Sequence, residues 1–421
     1  MNADIPEKND AVQRSSGDYI ATGGIIFSHS LQHLYGQGFY VILPVIYTSL
    51  GLTPIAAGFI GTVRQVSGGA ASMFGGVLID KLQQWRILIL YLSLVIMGLG
   101  YFLVGLSPTY LLILLALGLA GAAGSIWHPA ALGLLSQRYS ERRGFMLAVH
   151  RSTGNAGDVL GPLIAGSLLL VLAWQKILFG AFPIAVILAF LLWLVLRHAR
   201  SWQQLTTRTT NPRSLKEQLV ALKDVLRGKE LILLMLVSGI AGLGQGSLML
   251  WLPLYLQQTQ NMGSLGIGLH LGLLSGVGIA SGPVFGILSD RIGRIRVIFI
   301  ILVAKATLAA LMAVVGSGTL FTVLVGLMGA FLFAVNPLVQ AGALDIAAGK
   351  RLEGSMIGLL WGNNAVFGGI SPVLVGFLVA SFGYGVLFWF IAAMEALAGI
   401  TALILMLSNL HPHQRADAAG V

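Results

Sequence analysis

Inside long apolar stretches of this sequence stand Arg64, Arg151, Asp158, Lys305, Glu395 and the histidines His29, His33, His128, His150 and His270. A charge at the centre of a bilayer-spanning helix costs about 2.5 kcal/mol or more, so each is a candidate for function. Arg151, Asn155 and Asp158 are spaced i, i+4, i+7 and share one helix face. By helical rise Arg151 and Asp158 stand ~10 Å apart, too far to pair but suited to hold a substrate or water between them. Asp158 is the single deep carboxylate of the first half. A carboxylate removed from water holds its proton more tightly, which suits proton exchange; an ion pair with another helix is the competing expectation. An arginine cannot shed its proton to relieve burial, so Arg64 and Arg151 each need an anion or several carbonyls. Two fixed positive charges against one carboxylate leave a positive excess. An organic anion such as a carboxylate or phosphonate would neutralise it bidentately. His29 and His33, at i and i+4, could relay protons, touch substrate, bind a metal or simply pack. A third ligand at comparable spacing is missing, so no metal is expected, and the pair is taken as a candidate substrate contact. His128 beside Pro129 is expected to bond a carbonyl freed by the kink.

The elements that carry these residues are membrane helices. Of 421 residues 56% are hydrophobic and 10% charged, where a soluble domain has about a quarter charged. The 55 glycines suit helices that pack backbone to backbone. With no cysteine, disulfide and thiolate chemistry are excluded. The net charge of +10 lies between apolar segments, so it reads as membrane topology and not as nucleic-acid binding. Segments near 20–48, 54–79, 87–106, 109–136, 144–172, 177–196, 230–256, 264–288, 297–316, 319–344, 354–381 and 384–407 are each long enough to span a bilayer. Prolines inside them, Pro337 included, are not read as ends. Lys and Arg crowd the connections on the side of the termini, whereas Lys176 stands almost alone on the other. Both termini are therefore expected in the cytoplasm. The expected organisation is a cytoplasmic tail at 1–19 without a cleaved signal peptide, a six-helix bundle at 20–196, a basic linker at 197–229, a second bundle at 230–407 and a tail at 408–421. In the linker, Ser214 and Glu217 form a capping box ahead of Leu215, Leu219, Leu222 and Leu226 at helical spacing, which predicts an amphipathic helix on anionic lipid.

The two bundles are copies. At an offset of 210 residues GVLIDKLQQWR (76–86) falls on GILSDRIGRIR (286–296), and Gly144, Met146, Pro162 and Gly166 fall on Gly354, Met356, Pro372 and Gly376. Parallel repeats of this kind place a substrate site between the halves near the midplane. The pattern Gly-x-x-x-Asp-Arg/Lys-x-Gly-Arg-x-Arg in both loops resembles the signature of the major facilitator superfamily, and the resemblance covers roughly the whole chain. The second copy, Gly286, Asp290, Arg291, Gly293, Arg294 and Arg296, is complete; the first, Gly76, Asp80, Lys81 and Arg86, has Gln83 and Gln84 where Gly and Arg are usual. The resemblance implies a gating cluster at each loop. Gly157, Gly161, Pro162 and Gly166 on the fifth helix look like the Gly-x-x-x-Gly-Pro packing motif of antiporters. SHSLQHLYGQGF, GSIWHP and HRSTGNAGDVLGPLIAG are similar to the fosmidomycin-resistance branch of drug/proton antiporters.

The resemblance implies an all-α membrane protein of twelve transmembrane helices in two six-helix pseudo-symmetric bundles. It also implies secondary active transport of a small organic solute by alternating access, with a proton gradient as energy source and no cofactor. On the family's plan Lys305 and Glu395 belong to the outer scaffold and are expected to pair with each other. Gln245, Trp251, Asn336, Trp361, Asn363 and Asn364 stand nearer the cavity, so a site cationic on one side and neutral on the other is expected. Substrate contacts are assigned to Arg64, Arg151, His29, His33, Asn155, Gln245, Trp361 and Asn363, and proton coupling to Asp158. The expected partners are a small solute, preferably an anion, protons and membrane lipids; the expected state is a monomer in a bacterial inner membrane. Export in exchange for protons is the leading reading, import or uniport of a metabolite the nearest rival, and a membrane-embedded histidine metal enzyme the rival from another class. A nucleotide-driven pump is excluded by the lack of a phosphate-binding Gly-x-x-x-x-Gly-Lys loop.

Overall fold

The computed structural model describes residues 16–107, 109–199, 202, 228–346 and 353–418; at 16, 76–81, 140, 143–144, 353–355, 357–358, 361 and 409–418 it describes the backbone alone. The first half comprises α1 (Ser16–Ser49), α2 (Pro54–Lys81), α3 (Arg86–Leu106), α4 (Tyr110–Arg138), α5 (Arg143–Leu168) and α6 (Trp174–His198). The second half comprises α7 (Lys229–Gln260), α8 (Ser264–Ile292), α9 (Arg294–Val315), α10 in two pieces (Gly318–Leu332 and Val335–Ile346), α11 (Glu353–Phe382) and α12 (Val386–Ala418). With backbone groups unable to find water in a bilayer, helices satisfy them internally. Nine helices among the described residues are long and apolar enough to cross a membrane. The three helices that fall short of that measure among the described residues are α1, α2 and α5, which carry His29, His33, His150, Arg64, Arg151 and Asp158. Their polarity marks the site.

Seven helices run straight through an internal proline, at Pro44, Pro129, Pro162, Pro183, Pro253, Pro283 and Pro372. The tenth is different. It breaks at 333–334, just ahead of Pro337, whose ring would meet the carbonyl four residues back and which has no N–H to continue the ladder. At the other extreme α1 starts at Ser16, ahead of the boundary expected from the charged tail. Asp18 is buried there in an ion pair with Arg138 of α4, at 2.8 Å and 3.3 Å. The amphipathic helix expected around Ser214 and Leu226 lies outside the described residues, although Trp202 at the head of that connection is fully buried.

The halves pack alike: α1 on α5, α2 on α4 and α3 on α6 correspond to α7 on α11, α8 on α10 and α9 on α12. Between halves α2 meets α11 and α5 meets α8, again a related pair. At the end remote from the termini the Tyr384 hydroxyl donates to that of Tyr47 at 3.0 Å, and Thr48 donates to Gln257 Oε1 at 3.2 Å. Backbones touch there as well. A Cβ at Gly166 would stand 2.7 Å from the Ser264 carbonyl oxygen, and one at Gly58 would stand 2.6 Å from that of Pro372.

In the scaffold of the second half the Lys305 ammonium lies 2.6 Å from Glu395 Oε1, with both side chains buried, so the expected pairing of these two is met. Glu395 also abuts α7, where a Cβ at Gly244 would approach Oε1 to 2.5 Å.

Candidate functional site

Between the bundles lies a cavity of about 700 Å³, lined by α1 to α5 on one side and by α7, α10 and α11 on the other. Among the described residues every fixed charge on its wall comes from the first half: Arg64, Arg151 and Asp158. No carboxylate among the described residues holds Arg64. Its Nη2 donates to the Gly36 carbonyl at 3.1 Å, and its Cζ lies 4.9 Å from the Tyr40 ring centroid and 5.9 Å from that of Phe39. Ring faces and a carbonyl stabilise a guanidinium but do not neutralise it. Close approach is possible because residue 36 is glycine; a Cβ would sit 2.9 Å from Nη2. Arg151 is exposed to the cavity and has no acidic partner within ion-pair distance among the described residues.

Asp158 is paired elsewhere. His33 Nδ1 donates to Asp158 Oδ1 at 2.7 Å, joining α1 to α5 at the cavity wall. Behind it the other imidazoles assemble. His29 Nδ1 donates to the His150 carbonyl at 2.7 Å, and the two rings stack at 3.8 Å. His128 stands edge-on to His29 at 5.2 Å, and Trp127 stacks on both His29 and His150 at 5.7 Å. The spacing of His29 and His33 along α1 was legible; that α4 and α5 would bring two more rings to them was not. Ring nitrogens of His29, His33 and His128 lie within 4.8 Å of one another, a spacing that would also suit a metal. The fixed charge of Arg151, next to His150 and on the same wall as His33 and His128, opposes a dication there. A cluster of imidazoles beside a carboxylate can instead accept, share and release a proton.

Across the cavity the wall is neutral. The Asn364 amide donates to Asn336 Oδ1 at 3.3 Å, and the Asn336 amide donates to Gln245 Oε1 at 3.2 Å. Three residues named for substrate contact sit differently from expectation. His29 is buried behind His33 and does not reach the cavity. Asn155, although on the face shared by Arg151 and Asp158, does not line it. Asn363 turns the other way and donates to the Met235 carbonyl at 2.9 Å, while its neighbour Asn364 takes the wall position. The side chain of Trp361 lies outside those described.

On α5, Gly157 and Gly161 face α1: a Cβ at 161 would stand 2.5 Å from the Leu34 carbonyl oxygen. Pro162 and Gly166 face α8 of the other half, where a Cβ at Gly268 would meet the Pro162 carbonyl oxygen at 2.5 Å. Of the loop clusters, Gly286 is open and Arg291 exposed. Arg294 Nε donates to Asp345 Oδ2 at 2.6 Å, and its Nη1 lies 3.5 Å from Asp290 Oδ1. Asp345, at the end of α10, is a partner that the loop motif did not contain. The side chains of Gly76, Asp80 and Lys81 fall outside those described.

Two pseudo-symmetric helical bundles around a polar cavity define an integral membrane carrier. The chain belongs to the Major Facilitator Superfamily, whose sequence model matches residues 25–368. It is 24% identical to a probable sulfoacetate transporter, SauU, of Cupriavidus necator over 94% of this chain and 95% of that one. It is 25% identical to the fosmidomycin resistance protein of Escherichia coli over 91% of this chain and 92% of that one. The nucleoside transporter NupG shares the fold, with a TM-score of 0.75 at 14% identity, covering 92% of this chain and 99% of that one. The chain is thus a transporter of small solutes and not an enzyme.

Proposed function

We propose that the chain exports small organic anions in exchange for protons, by alternating access, from a bacterial inner membrane in which both termini face the cytoplasm. The carrying observation is that Asp158 is engaged by His33 and not by an arginine, so the charges of Arg64 and Arg151 face the cavity uncompensated. An anion restores the balance, and guanidinium grips carboxylate, sulfonate or phosphonate through two bonds. Sulfoacetate, which the Cupriavidus relative is named for, is such an anion, and the name of the Escherichia relative supports the outward direction.

Proton coupling is assigned to the His33–Asp158 pair, because it opens to the same cavity as the arginines and can take up and release a proton there. The gradient supplies the energy, and one chain encloses the whole cavity, so a monomer suffices. The excess of Lys and Arg on the side of the termini sets the orientation. On that orientation the Tyr47–Tyr384 and Thr48–Gln257 contacts hold the two halves together at the outer end.

Competition and transport by variants test the anionic class. Arg151→Lys should weaken transport, Arg151→Gln should nearly end it, and anions should compete better than cations of equal size. Protection of cells against lipophilic cations, undiminished in Arg64→Gln and Arg151→Gln, would refute the anion reading.

A further inference from the structure

The neutral wall has a definite hydrogen-bonding pattern. Gln245 of α7, Asn336 at the start of the second piece of α10 and Asn364 of α11 form a ladder across three helices, all on the cavity wall. In this orientation the free ends are the Gln245 amide hydrogens and the Asn364 carbonyl, neither of which has a protein partner among the described residues. Turning all three amides over together keeps both rungs and exchanges the ends. The ladder therefore always presents one donor and one acceptor, whichever orientation holds.

We propose that this ladder is a subsite for an uncharged donor–acceptor group of the substrate, such as a carboxamide. The transported class is then a bipartite anion, with a charged head on Arg64 and Arg151 and a neutral polar group on Gln245, Asn336 and Asn364. This rests on the anion reading of the arginine wall. Ladder and arginines belong to opposite halves of the chain, so a bipartite solute bridges the two bodies that must rock together. A simple anion satisfies one half and leaves the amide ends facing water or an apolar tail. A site built to hydrogen-bond a group rejects analogues that lack it, because its polar atoms then stay unpaired.

The probes are N-acetylglycine and pentanoate, monoanions of the same chain length, one with an amide and one without. Binding of each to the purified full chain in detergent is measured by calorimetry. Wild type should bind N-acetylglycine about 10-fold or more tighter than pentanoate, as expected for two additional hydrogen bonds. In Asn336→Leu, and independently in Asn364→Leu and Gln245→Leu, that ratio should fall to about one, whereas Arg64→Gln should weaken both probes together. Because the ratio is taken within each protein, pentanoate binding also reports that the variant is folded. Equal binding of both probes by wild type, or a ratio undiminished in all three ladder variants, overturns the subsite and leaves the anion reading standing. If neither anion binds wild type at millimolar concentration, both readings fall.

Discussion

Replacing Gly161 by alanine should uncouple transport from protons while leaving the carrier able to move substrate. The added Cβ would stand 2.5 Å from the Leu34 carbonyl oxygen, 3.0 Å from Leu34 Cα and 3.1 Å from the Gly38 nitrogen, all backbone atoms that cannot swing aside. An unstrained carbon–oxygen contact is about 3.4 Å, so α5 must retreat from α1 by roughly 0.9 Å. One turn away on the same interface, the 2.7 Å contact of His33 with Asp158 would then open toward about 3.6 Å, where the hydrogen bond is lost. A hydrogen bond to a charged group is worth about 1.5–3 kcal/mol, or about tenfold or more in the population that keeps the pair. Accumulation driven by a pH gradient in proteoliposomes should fall about tenfold. Counterflow of substrate, which needs no net proton movement, should stay within about threefold. Gly180→Ala, where nothing lies within 4 Å, is the control. A Gly161→Ala protein that accumulates substrate like wild type would refute the argument that this interface sets the pair.

Asp158→Asn should abolish accumulation against a pH gradient with counterflow retained; undiminished accumulation would remove Asp158 as the coupling site. Asp290→Asn should slow turnover more than it lowers binding, Asp345→Asn should do likewise because Arg294 is shared between them, and Asp80→Asn should be milder. An essential Asp80 beside a dispensable Asp290 would contradict this ranking. Lys305→Met leaves a fully buried Glu395 without its cation and should cost about 3–5 kcal/mol of stability, with much of it restored in Lys305→Met/Glu395→Leu. An unchanged melting temperature in the single variant would contradict that.

The helices were legible because a bilayer imposes one length and one chemistry on every crossing. The repeat was legible because the loop motif recurs at a fixed offset. The Lys305–Glu395 pair was legible too, since two opposite charges in the scaffold have few alternatives. What the sequence did not carry is rotation about helix axes. A turn of about 100° separates Asn363, which faces Met235, from Asn364, which faces the cavity. The gathering of His128 and His150 around His29 likewise depends on how α4 and α5 pack on α1, although the two stand 99 and 121 residues from His29 along the chain. Asp18 was assigned to the soluble tail from its charged neighbours, whereas Arg138 on α4 gives it a buried partner. Pro337 breaks its helix although seven other prolines in this chain do not, and local sequence does not separate those cases.

The most direct test of the central claim is uptake into proteoliposomes holding the purified chain, with a pH gradient imposed in either direction and anionic, neutral and cationic solutes compared. Exchange against protons predicts accumulation of small organic anions when the interior is the more acidic side, loss of accumulation when an ionophore collapses the gradient, and no accumulation in Asp158→Asn. Accumulation of cations instead of anions, or anion uptake of equal extent with the gradient present, reversed and absent, would contradict it.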